Sequence, residues 1–266
     1  MAVSDLMADS LEASIASLAE QNSMEINFSK EGSLPALERL ASDELDIAVI
    51  VVPAGHSMPD SRYTVYPLAY DVAILAVNED NPIGEVSLPQ LQGIFGAEGR
   101  EDFQTWDGLG LSGWVGRGIK TFAAEIENSI SNELFKYTVL KSGGFKSSVS
   151  MVDTASAQRA IASDATCIGL LSRKLDSRRT KTLMISAGDG LPAYGPSPDN
   201  VHYGDYPLRL PFYVVFETSN KSRIKPILSY LLSEGCAKLL EANNFYALPD
   251  TVRNQFSFEL NMQRED

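Results

Sequence analysis

Serines placed at the starts of helical runs are the residues of this chain whose type and spacing could do chemistry. Between Glu125 and Phe135 a polar turn carrying Ser129, Ile130 and Ser131 opens into a run in which Leu134, Tyr137, Thr138 and Lys141 recur at spacings of three and four; Gly143-Gly144 stops it. A serine at a helix start satisfies backbone N–H groups that have no acceptor within the helix. The same N–H groups, at the positive end of the helix dipole, also form a receptor for an anion. Taken alone the stretch reads as an ordinary capped helix. Similar serine-headed starts at Ser4-Asp5 and Gly32-Ser33 give the anion reading company.

Other groups with chemical potential are sparse. Glu125, Glu127, Asp46, His56 and His202 are the candidates for acid–base or metal work, and none falls in a nucleophile or metal-ligand spacing. The expectation is a protein that is not an enzyme and holds neither cofactor nor metal. Cys167 and Cys236 each lie in an apolar segment and read as buried free thiols rather than a disulfide framework. A net charge of −13 argues against nucleic acid, which needs clustered Lys and Arg. The basic cluster around Arg173, Lys174, Arg178, Arg179 and Lys181 reads as a solvated edge. A negative protein can still bind a small anion through backbone N–H groups.

These groups need elements to position them. With 266 residues, 44% hydrophobic and 21% charged, the chain can bury a core and suits two lobes better than one. Ser4 is expected to cap a helix from Asp5 to Ala19, and Glu25 to Ser29 to form a short strand. Pro35 to Ala41 reads as a second helix, and the apolar run Leu45 to Val52 as a strand buried on both faces. Tyr63 to Tyr66 and Asp71 to Val77 read as strands. Ser87-Leu88-Pro89-Gln90 is a capping box opening a helix through Phe95. Further along, Ile119 to Ala124 is a strand, Thr154 to Ser163 a helix, and Thr166 to Ser172 and Lys181 to Ser186 strands. Gly188 to Gly204 reads as loop. Leu210 to Glu217 is a strand, Ser222 caps a helix, and Cys236 to Ala242 is another. Strand and helix alternate, so the fold class is α/β. No apolar run approaches the roughly 18–20 residues of a membrane span. Asp5, Asp9 and Glu12 sit where a signal peptide would be basic and then apolar. The abrupt opening, Met1-Ala2-Val3, reads as the tail of a strand whose upstream leader has been removed.

Along nearly its whole length the chain resembles the phosphate-binding (PstS-like) solute receptors of ABC transporters, within the two-lobed periplasmic-binding-protein type II class. The most specific passage runs from Asn81-Pro82-Ile83 through Ser87-Leu88-Pro89-Gln90-Leu91 and Ile94-Phe95 to Thr105-Trp106-Asp107-Gly108-Leu109-Gly110. Ser129 to Phe135 falls where the family has a Ser-Gly-Thr helix start ending in Phe. Ala165 to Ser172, Tyr206-Pro207-Leu208 with Phe212-Tyr213-Val214, and Leu231 to Pro249 resemble later family segments. The resemblance implies a mixed sheet in each lobe, with lobes of about 1–78 plus 207–266 and about 79–206, and hinge closure on a ligand in the cleft between them. It implies ligand contacts from Ser4, Asp5, Ser33, Ser129, Ile130, Ser131 and the position of Glu125. It also implies a phosphate or related oxyanion ligand, ABC transporter membrane subunits as partners, a monomer, and a periplasmic or extracellular location.

Three departures bear on the ligand. Where the family has an acidic residue that accepts a proton from phosphate, this chain has the apolar Val49-Ile50-Val51-Val52-Pro53. Where the family has an anion-pairing Arg, this chain has Glu125. Where the family has Gly, it has Ile130. The alternative reading is therefore a divergent binding or sensing domain that has lost phosphate and recognises another ligand or a partner protein.

Overall fold

The computed structural model describes residues 1–52, 59–125, 130–172 and 178–262, and of Glu125 the backbone alone. By contacts the chain separates into two compact units, Met1–Tyr70 with Leu210–Asp266, and Asp71–Arg209. The chain begins with β1 (Ala2–Ser4), α1 (Ala8–Gln21), β2 (Ser29–Glu31), α2 (Ser33–Ala41), β3 (Ala48–Val51) and β4 (Tyr63–Val72). It continues through β5 (Ile74–Asn78), β6 (Glu85–Ser87), α3 (Leu88–Phe95), β7 (Lys120–Glu125), α4 (Ser131–Thr138), β8 (Ser150–Asp153), α5 (Thr154–Ser163) and β9 (Cys167–Leu171). β10 (Thr180–Thr182), β11 (Met184–Ser186), β12 (Ala193–Tyr194) and α6 (Pro198–Tyr203) follow. The last elements are β13 (Arg209–Glu217), α7 (Lys225–Leu231), α8 (Glu234–Ala242), β14 (Tyr246–Ala247) and α9 (Asp250–Met262).

The first unit holds a six-stranded mixed sheet in the order β14-β4-β13-β3-β1-β2. β1 is parallel to β2 on one side and to β3 on the other. Parallel crossovers are right-handed, so β1-α1-β2 and β2-α2-β3, which run in opposite directions across the sheet, must put their helices on opposite faces. The side chains show it. Val3 and Val49 pack with Met7, Leu11 and Ile15 on the α1 face. Ala2, Ala48 and Ile50 pack with Ala36 and Leu40 of α2 on the other.

The second unit repeats the device. Its five-stranded sheet runs β10-β5-β9-β7-β8, with β7 parallel to both β8 and β9 and β5 antiparallel to β9. Ala157 and Ile161 of α5 cover Ala124, Cys167 and Leu171. α4, crossing the other way, lies on the opposite face. A separate three-stranded sheet, β12-β11-β6, carries the capping-box serine at the end of β6: Ser87 Oγ accepts the Gln90 N–H at 3.2 Å, and the Gln90 side chain accepts the Ser87 N–H at 2.9 Å.

Several expected elements differ. Ser4 does not cap α1; it ends β1, and a turn intervenes before the helix begins at Ala8 with Met7 at its N-cap. The strand expected over 25–29 lies instead at Ser29–Glu31, where it finds β1 as a partner. Ser222 caps nothing, because α7 starts at Lys225 with Pro226 in its first turn. Lys181 to Ser186 divides into two strands belonging to different sheets. The supposed loop 188–204 contains β12 and α6, the latter capped by Ser197 and closed by Gly204 at φ 89°. That left-handed residue must be glycine: a Cβ would strain the backbone and meet the Arg209 guanidinium at 2.8 Å. Both cysteines are buried free thiols, and burial pushes their pKa values up to about 11 for Cys167 and about 12 for Cys236.

Candidate anion site

In open α/β sheets ligands bind beyond the carboxyl ends of the strands, where successive strands turn to opposite sides. β1 is that strand in the first unit and β7 in the second, and within each unit helices start beyond it.

In the first unit Ser4 is the last residue of β1 and is buried. Its Oγ donates to Asp5 Oδ1 at 3.4 Å, and Asp5 itself is exposed. Ser33 opens α2 behind Gly32 and makes no cap of its own helix. Its Oγ instead accepts the Val51 N–H at 2.9 Å, fastening the end of β3 to the start of α2. The β3 end is apolar, as its sequence requires.

In the second unit α4 begins at Ser131 behind Ile130, again with no side-chain cap from the N-cap residue. Ser131 is buried. Asn132 Nδ2 donates to the Ala124 carbonyl at 3.1 Å, which fixes the amide orientation and leaves Oδ1 buried with no partner among the described residues. Ser129 and Glu127 lie outside the described residues, as does His56, and of Glu125 only the ladder position opposite Asp153 can be given.

The residue that sequence reasoning missed here is Asp71. It is 7% exposed, and its carboxylate accepts the N–H of Val72 at 2.8 Å and that of Ile130 at the head of α4. Burial pushes its pKa up to about 6, against the pull of the two N–H donors. A signal was available: Asp71 is the one ionisable carboxyl in the apolar run from Leu68 to Val77.

The sign of its effect on stability follows. The folded pKa lies above the unfolded value, so the folded chain holds more protons between about pH 4 and 6, and stability falls as pH rises through that window. A shift of about two units costs on the order of 3 kcal/mol once the group is ionised. Asp71→Asn is expected to flatten this part of a stability-versus-pH profile measured by urea unfolding. An unchanged slope would remove Asp71 as its source.

The other helix starts stand in contrast. α3, α5, α6 and α8 are capped by the side chains of Ser87, Asp153, Ser197 and Ser233. α1, α2, α4 and α7 have no such bond. Of these, α1, α2 and α4 follow the parallel strands β1, β2 and β7, as the capped α3 and α5 follow β6 and β8.

Of the enzyme candidates only Asp46 and His202 have described side chains. Asp46 forms an ion pair with Arg223. His202 lies half-buried on α6, where burial and the nearby Arg209 lower its pKa. No group of three or more His, Cys, Asp or Glu that could hold a metal occurs among the described residues.

Two α/β units of this topology define a protein of the periplasmic-binding type. Residues 2–234 match the PBP superfamily domain, and the chain belongs to that superfamily. It is 26% identical over 211 residues to the phosphate-binding protein PstS of Pseudomonas aeruginosa, a match covering 75% of this chain and 64% of that protein. The chain thus spans less than two thirds of that relative's length. Its fold is similar to that of PstS from Borrelia burgdorferi, with a TM-score of 0.72, 14% identity, and coverage of 94% of this chain and 98% of that one. It is also similar to an ABC-type phosphate transport receptor from Vibrio cholerae, with a TM-score of 0.65, 19% identity, and coverage of 94% and 100%.

Proposed function

We propose that this chain is an extracytoplasmic solute-binding protein that holds a small oxyanion, phosphate or a relative of it, for ABC-type uptake. The observation that carries the reading is that α1, α2 and α4 start without a side-chain cap beyond the parallel strands β1, β2 and β7. Backbone N–H groups at those ends, with serine hydroxyls beside them, would supply hydrogen bonds and partial positive charge without a cation. The names of the relatives agree with it. In this reading Ser4, Asp5, Ser33, Glu125, Ser129, Ile130 and Ser131 lie against the ligand, the transporter's membrane subunits are the partners, the chain works as a monomer, and no catalysis occurs. Among the described residues no helix is long and apolar enough to cross a membrane.

One set of observations favours the divergent alternative. The end of β3 offers no carboxyl, Ile130 brings a Cβ to the head of α4, and a carboxyl stands where the family has Arg. A thermal-shift series on stripped protein separates the two readings, with phosphate, sulfate, molybdate, amino acids and simple cations as probes. A ligand at about 100 times its dissociation constant adds roughly 2.7 kcal/mol, a rise of several degrees for a chain of this size. A rise with an oxyanion is expected. No rise with any oxyanion, or a rise with another class alone, gives the divergent reading.

A further inference from the structure

We propose that anion binding at the start of α4 is coupled to uptake of a proton by Asp71. The inference deepens the oxyanion reading above and rests on it. The ligand and the Asp71 carboxylate would draw on the same short row of donors. Asp71 accepts the Ile130 N–H, one of the backbone groups at the head of α4 that an incoming anion needs. In the free protein the chain thus places its own carboxylate at the helix start.

A second observation marks the spot as built for a ligand. Ser172, 3% exposed, has no hydrogen-bond partner for its Oγ among the described residues. It follows Leu171, whose ladder partner is Ile74, so it stands level with Ala73 and close along the chain to Asp71. Leu171 packs on the α5 face, and Ser172 is the next residue beyond the end of β9, a strand that α4 packs against. Asn132 Oδ1, in the first turn of α4, is likewise buried and unmet. Buried polar atoms are seldom left without partners. An unmet hydroxyl level with Ala73 and an unmet carbonyl in the first turn of α4, on either side of the Asp71–Ile130 contact in sequence, suit an oxyanion that arrives with, or next to, a proton.

The described charged groups nearby do not offer an alternative counter-charge. On α4, Glu133 and Lys136 pair with each other at 2.7 Å. β5 and β9 carry no ionisable carboxyl or amine, and Arg209 is held by the Val201 and His202 carbonyls at 2.7 and 2.8 Å. A dianion brought against an ionised Asp71 would be repelled at short range. A neutral Asp71 releases the Ile130 N–H and presents an O–H donor instead. The Asp71 pKa of about 6 in the free protein means that this proton must come from solvent at pH 7 to 8.

Calorimetry of the stripped protein with inorganic phosphate at pH 8, in two buffers of different ionisation enthalpy, should show uptake of close to one proton per anion bound. Binding should weaken about tenfold per pH unit above the free Asp71 pKa, beyond the change due to phosphate's own ionisation. Infrared difference spectra should show a neutral carboxylic acid band appearing with phosphate, and D71N should lose both the band and the uptake. Binding without proton uptake, or uptake that persists in D71N, overturns the proposal. Should D71N fail to fold, the infrared band of the wild-type protein decides alone, since it distinguishes a proton on the carboxyl from one on the ligand. Absence of phosphate binding at both pH 5 and pH 8 would overturn the oxyanion reading itself, and the coupling with it.

Discussion

Glu125→Arg is expected to raise the affinity for phosphate by at least a hundredfold. Glu125 is the last residue of β7, five residues before the head of α4, at the carboxyl end where ligands of such sheets bind. The resemblance places the family's anion-pairing Arg at this position. Two unit charges about 4 Å apart interact by roughly 4 kcal/mol at an intermediate dielectric. Replacing repulsion by attraction, and adding a planar fork that can hold two phosphate oxygens, changes both sign and geometry. Solvent and salt screen much of this, and a hundredfold gain corresponds to about 2.7 kcal/mol, well inside the unscreened difference. Calorimetric titration of the stripped variant and wild type with phosphate reads the effect directly. A gain of this size would mean that the anion site is retained and held back by one side chain. Equal or weaker binding would mean that position 125 does not face the anion, and the role transferred to it by resemblance would fall.

What the sequence disclosed depended on how local the cause was. The α5 span was legible to the residue, because the Asp153 cap and the period of Ala157 and Ile161 act within a few positions. The capping box at Ser87 and Gln90 was legible for the same reason. Ser4 and Ser222 misled, since a serine before an apolar run satisfies the pattern whether or not the backbone turns there. The strand at Ser29–Glu31 was displaced by its pairing with β1, a partner more than twenty residues away. The repeated arrangement, a first strand flanked by the next two, left no sequence repeat because it is a property of crossover handedness rather than of residue identity. Asp71 is the clearest case at the site. A strand pattern shows its burial but not that the head of α4, some sixty residues on, supplies its second donor. Ser33 was found for a partly wrong reason. Its hydroxyl does stand at a helix start, but it holds the Val51 N–H instead of its own helix.

Trp106→Ala is expected to cost about 3–5 kcal/mol, the range for deleting a large buried aromatic side chain. Trp106 is fully buried in the second unit, its indole N–H donates to the Thr166 carbonyl at 3.1 Å, and its ring meets Trp114 edge to face at 6.2 Å. Its backbone N–H also donates to the Arg117 carbonyl at 2.9 Å, so the side chain anchors the segment between α3 and β7 onto the turn that enters β9. Alanine would leave a cavity and take from the Thr166 carbonyl one of its two donors, the other being the Lys120 N–H at 3.0 Å. Trp106→Phe would keep most of the volume and lose one hydrogen bond, at about 0.5–1.5 kcal/mol. The order Ala worse than Phe, with a fall of roughly 10 °C for Ala in a scanning melt, tests a packing role. Phosphate should still raise the melting temperature of both variants by the wild-type increment, because the residue is enclosed by its own unit. A Trp106→Ala protein of wild-type stability that no longer responds to phosphate would reverse the assignment. It would make this tryptophan part of the binding surface rather than part of the core that holds it.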